Sequence, residues 1–145
     1  MENQLAKLNS EDREKLFKAP ALVSLLAAST DGKVSNAEKA DAIELSHLRT
    51  FTSPPILRPY YKEVEKRFKS DFEFMVQKYA PLDVQRQEAL REEISKVYDI
   101  MDQLDDQFKL ELSISLDSYA RHVGSIHQNF LEFFMIPLSI KGITE

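Results

Sequence analysis

The chain has no cysteine, no tryptophan and only three glycines among its 145 residues. Lacking cysteine, it can build neither a disulfide scaffold nor a thiolate metal site nor a thiol nucleophile, and it suits a reducing compartment. Long apolar runs are also missing: none approaches the ~20 residues a membrane-crossing helix needs, so direct insertion into a bilayer is not expected. The opening Met-Glu-Asn-Gln has neither the basic start nor the apolar stretch of a secretory leader. These features lead us to expect a cytoplasmic protein. Excess positive charge is absent as well. The formal net charge is −5, and the densest basic stretch, Lys62 to Lys69, is interrupted by Glu63 and Glu65. Counterion release from a phosphate backbone requires clustered basic residues, so nucleic acid is not an expected partner.

What the chain does have is apolar material: 43% of residues are hydrophobic, with nine Phe and five Tyr. That is enough for one self-sufficient core. Gly32, Gly124 and Gly142 and the prolines at 20, 54, 55, 59, 81 and 137 cut the sequence into segments. Pro20 and Pro59 fit the first turn of a helix. We predict helices near 10–18, 20–29, 36–49, 57–79, 84–104 and 106–123, with a shorter one after Gly124. No linker is long enough to mark a domain boundary, so the expected fold is all-α, a compact single-domain bundle of about six to seven helices.

Periodicity carries this reading. Leu57, Tyr61, Val64, Phe68, Phe72, Met75 and Tyr79 recur at three- and four-residue steps, as do Leu90, Ile94, Val97, Met101, Leu104 and Phe108. Both sets read as core stripes. Leu110, Leu112, Ile114 and Leu116 instead alternate with polar residues in the manner of a strand. A lone strand would leave its backbone groups unpaired, so this stretch too is assigned to a helix. On that helix Leu110 and Ile114 oppose Leu112 and Leu116, which predicts a central element buried on two sides.

One short stretch invites a chemical reading. An apolar helix from Pro20 to Ser29 runs into Asp31-Gly32, where Gly32 can take the left-handed conformation that ends a helix. Ser35-Asn36-Ala37-Glu38 then has the form of a capping box for the next helix. Ser70-Asp71-Phe72-Glu73 matches the same pattern within a helical stripe, where it can cap nothing. Asp31, Glu38 and Asp41 could also converge on a cation, because Glu38 and Asp41 share a helical face and Asp31 lies across the turn. Carboxylates suit Ca²⁺ or Mg²⁺, although three of them supply only part of the about six to eight oxygens that Ca²⁺ takes. Metal-activated hydrolysis by the same acids is the enzymatic alternative.

The stretch Ala27-Ala28-Ser29-Thr30-Asp31-Gly32-Lys33-Val34-Ser35-Asn36-Ala37-Glu38-Lys39 resembles the signature of the TerB-like family of tellurite-resistance-associated helical proteins. The order of the helices extends that resemblance over most of the chain. It implies a single helical domain built from two related halves. It also implies an accessory role in stress responses, within membrane-associated complexes and with a link to metals, and no established catalysis. Placing Gly124 on Gly32 puts Ala120 on Ala28 and Ile126 on Val34, but Val123 then replaces Asp31 and Phe130 replaces Glu38. On that register the second half keeps the steric pattern and loses both acids.

Other chemistry finds little footing. His122 and His127 are five apart, off the i, i+4 spacing of a zinc pair, and His47 stands alone. Neither a glycine-rich phosphate loop nor a nucleophile elbow is present, and an enzyme is not expected. The stretch Asn129 to Leu138 is dense in apolar residues. Phe130, Phe133 and Phe134 there would suit a protein partner or self-association if exposed, and would otherwise close the core. A purely structural or assembly role is the remaining alternative.

Overall fold

A computed structural model describes residues 2–28 and 35–123, and every regular element in that range is helical. In chain order these are α1 (Glu2–Ala6), α2 (Ser10–Phe17), α3 (Ala19–Ala28), α4 (Asn36–Thr52), a 3₁₀ turn (Pro55–Leu57), α5 (Arg58–Lys78), α6 (Val84–Met101) and α7 (Asp106–Val123). The all-α bundle expected from periodicity is what forms. The sequence did not signal α1, and α4 runs three residues beyond its expected end at 49. Gly32, Gly124 and the helix expected after it lie outside the described residues, as does most of the proposed second-half match.

Helix ends are set locally. Asn9 caps α2 by accepting from the Asp12 amide at 2.7 Å, and Asp83 caps α6 by accepting from the Arg86 amide at 2.9 Å. Pro20 and Pro59 both occupy the second position of their helices, where the missing N–H breaks no intrahelical bond.

The central element is α3, not α7. All ten residues of Ala19–Ala28 are buried, and α3 packs on α2, α4, α5, α6 and α7. A helix without a charged side chain has no face to offer to water, so the bundle assembles around it. Every residue of the two predicted stripes is buried. Leu25 and Leu90 are fully inaccessible, and truncating either to alanine would cost on the order of 2–5 kcal/mol.

The expectation that α7 is buried on two sides is not met. Leu110 and Ile114 are 55% and 51% exposed. The inward residues beside Phe108, Leu112, Leu116 and Tyr119 are instead polar ones: Ser113, Ser115 and Asp117. Each is satisfied where it stands. Ser113 Oγ donates to the Lys109 carbonyl at 2.7 Å, Ser115 Oγ shares a hydrogen bond with the Tyr61 hydroxyl, and Asp117 pairs with Arg121 at 2.8 Å. A serine that bonds within its own helix or to a core tyrosine can be buried at little cost. Two flanking leucine-type positions are thereby left facing outward.

Aromatic rings fill the space between α3, α5 and α7. Tyr60 and Tyr61 meet edge-on at 4.9 Å, Phe68 stacks on Phe72 at 5.5 Å, and Tyr119 lies against both Tyr61 and Phe68. The Tyr60 hydroxyl donates to the Leu16 carbonyl at 2.7 Å, tying α5 to the end of α2. All five tyrosines are held above the usual phenol range, with burial the leading cause in each.

Candidate functional site

The capping box forms as predicted. Ser35 Oγ accepts from the Glu38 amide at 3.0 Å, and Glu38 Oε1 accepts from the Ser35 amide at 2.9 Å. One oxygen of Glu38 is therefore committed to the backbone, and a cation at this turn would compete with the Ser35 amide for it. Asp41 is exposed on α4. Asp31 and Gly32 lie outside the described residues, and among those described no three metal-binding side chains gather into one cluster. The aromatic trio Phe130, Phe133 and Phe134 also lies outside them. His47 is exposed and pairs with Glu65, joining α4 to α5.

The polar arrangement of most interest sits where α4 crosses α7. Arg49, in the last turn of α4, is partly buried, and its Nη2 donates to Ser118 Oγ at 2.6 Å. Ser118 Oγ itself donates to the Ser115 carbonyl at 2.6 Å. Ser115 Oγ in turn meets the Tyr61 hydroxyl, so Ser115 touches Ser118 through its carbonyl and the core through its side chain. Burial raises Tyr61, while the Ser115 hydrogen bond and the positive charge of Arg49 act against that rise. On the outer side a depression of about 130 Å³ is lined by Arg49, Ser53, Pro54, Ile114 and Ser118, with Glu111 also at its wall.

The electrostatics of this corner are unbalanced. Among the described residues Arg49 forms no ion pair, and its Nε is buried without a hydrogen-bond partner. Glu111 does not reach it. Arg58 adds a second guanidinium nearby, its Nε donating to the Ser53 carbonyl at 3.4 Å. A guanidinium drawn partly out of water normally finds a carboxylate, and the side-on edge formed by Nε and Nη2 fits one with two parallel bonds. Here one tooth of that fork is idle and the other rests on a serine.

Nothing in the sequence marked Arg49, because the corner joins residues 69 positions apart. The one available signal was indirect: Ile114 and Leu110 sit off the main apolar face of α7. Compared with known proteins, the chain matches no family model, no curated protein and no solved structure.

Proposed function

We propose that this chain is a non-catalytic helical interaction module, TerB-like in its opening turn and helix order, that binds a protein partner at the α4–α7 edge. A stress-response role in the cytoplasm is the setting that the resemblance of residues 27–39 implies. The observation that carries the reading is Arg49, a partly buried cation with an idle donor and no carboxylate, next to the exposed Ile114 and one turn from the exposed Leu110. Arginine is enriched at the energetic centres of interfaces. The partner this corner fits presents an aspartate or glutamate flanked by apolar residues. Such a carboxylate would pair with the Arg49 guanidinium from the side of the depression, and the apolar neighbours would cover Leu110 and Ile114.

Selection from a displayed random-peptide library tests this directly. The reading expects enriched peptides with one acid among apolar residues, and at least about tenfold weaker binding to Arg49→Gln and to Ile114→Asp, both still folded by circular dichroism. Enrichment without an acid, or binding indifferent to both substitutions, would overturn it. Wild-type protein that dimerises through this edge would show the partner to be a second copy, again contradicting the proposal.

A further inference from the structure

A second feature lies on the other side of the molecule and is independent of the interaction reading. Between α2, α3, α5 and α6 a groove of about 200 Å³ opens to the surface. Its floor is apolar: Leu22, Met75, Tyr79 and Val97 are all at least nine-tenths buried yet line the space. Lys15 and Lys18 stand on one bank and Lys78 on the other. None of these lysines forms an ion pair among the described residues. Lys78 leans over the Tyr79 ring, its Nζ 5.4 Å from the centroid. The one acid in the lining, Glu93, is engaged by Lys96 at 3.0 Å. Phe74 is 62% exposed at the edge of the same groove.

Three unpaired cations around an apolar floor are unexpected on a chain whose net charge is −5. Their stems can lie along the floor while their ammonium groups stay in water, which leaves three cationic groups around the lining of an apolar slot. The volume sets the size of the occupant. At ~30 Å³ per water the slot holds roughly seven waters, and its volume is below the ~300 Å³ at which drug-sized sites begin. An amphipathic helix needs anchor positions over two turns, more than a volume of about 200 Å³ takes in.

We infer that the groove between α2, α3, α5 and α6 binds a small anionic amphiphile: a carboxylate on a short acyl chain or a single aromatic ring. The carboxylate sits among Lys15, Lys18 and Lys78, the apolar part rests on Leu22, Met75, Tyr79 and Val97, and Phe74 closes over it.

Titration calorimetry with octanoate, 1-octanol and hexanoate, on the full chain, tests the inference. Octanoate should bind at least about tenfold tighter than octanol, which lacks the charge, and tighter than hexanoate, which fills less of the floor. Lys15→Glu/Lys78→Glu should lose at least about tenfold with an unchanged melting temperature, and Phe74→Ser should weaken binding without unfolding. A control pair, Lys62→Glu/Lys66→Glu, changes net charge equally and should leave binding intact. Equal affinity for acid and alcohol, equal loss in the control pair, or no heat with any ligand would overturn the assignment. So would an acidic peptide that outcompetes octanoate.

Discussion

Arg49 Nη2 lies 2.6 Å from Ser118 Oγ, and this contact holds α4 against α7. It is also an incomplete arrangement, since Arg49 Nε is buried with no acceptor among the described residues. An unmet buried donor costs on the order of 1–3 kcal/mol, whereas the bond to Ser118 returns about 1 kcal/mol. We therefore expect Arg49→Met, which keeps the packed stem, to leave stability unchanged or raise it by up to ~1 kcal/mol, equivalent to about 2–4 °C in a domain of this size. Thermal melts check this. A large loss of stability would show that Arg49 is held for the fold and not for binding.

The buried tyrosines should separate into two kinds. Tyr60 donates to the Leu16 carbonyl, but the Tyr119 hydroxyl is fully buried without a hydrogen-bond partner among the described residues. Tyr60→Phe should cost about 1–2 kcal/mol because it strips an acceptor of its donor. Tyr119→Phe should be neutral or stabilising, because it removes only an unmet group. Denaturant unfolding of both variants at matched m-values decides the point, and an equal loss in the two would contradict it.

Acid should loosen the contact between α2 and α5. The Arg67 guanidinium donates to both oxygens of Glu14, at 3.1 and 2.5 Å, and also to Asp71 at 2.9 Å. The Arg67 hydrogen bonds, partly offset by burial, hold the Glu14 carboxyl below the ordinary value of 4.5. Below 4.5 the unfolded chain takes up a proton at this site before the folded chain does. The stabilisation is thus complete above 4.5 and disappears as pH falls through the lowered folded-state value. Half-exposure of Glu14 keeps the effect small. Melting temperatures of wild type and Glu14→Gln should differ most near neutrality and converge in acid; a gap independent of pH would refute this.

At the start of α4, Ser35→Ala should cost about 1 kcal/mol, since it leaves the Glu38 amide without its cap. The same change frees nothing elsewhere in the described structure, so hydrogen exchange should quicken in the first turn of α4 alone. Spread of the effect to α5 would indicate a larger role for this turn.

Much of this architecture was legible before the fold. The stripes of α5 and α6 repeat at the helical period, and each of their residues is buried because a helix turns the same face inward along its length. The Ser35–Glu38 box was legible because both partners lie within one turn. The second face of α7 was not, because exposure of Leu110 and Ile114 depends on whether another element lies over them, which no local pattern encodes. Buried serines in α7 misled as well: Ser113 bonds back to the Lys109 carbonyl one turn earlier in its own helix, while the partner of Ser115, the Tyr61 hydroxyl, is supplied by the fold. The charge-free decapeptide of α3 did contain the signal for the central helix. Neither Arg49 with Ser118 nor the three lysines of the groove could be read, since each set is assembled from distant segments. Helix α1 has five residues and too little periodicity to register.

The most direct measurement is an NMR titration of the full chain with a library-selected acidic peptide, following the side-chain Nε–Hε resonance of Arg49. The account predicts a marked shift of that resonance together with the Ile114 and Leu110 methyls, and its loss when the peptide's acid is replaced by its amide. A peptide that shifts Phe130, Phe133 and Phe134 while leaving Arg49 unmoved would contradict it.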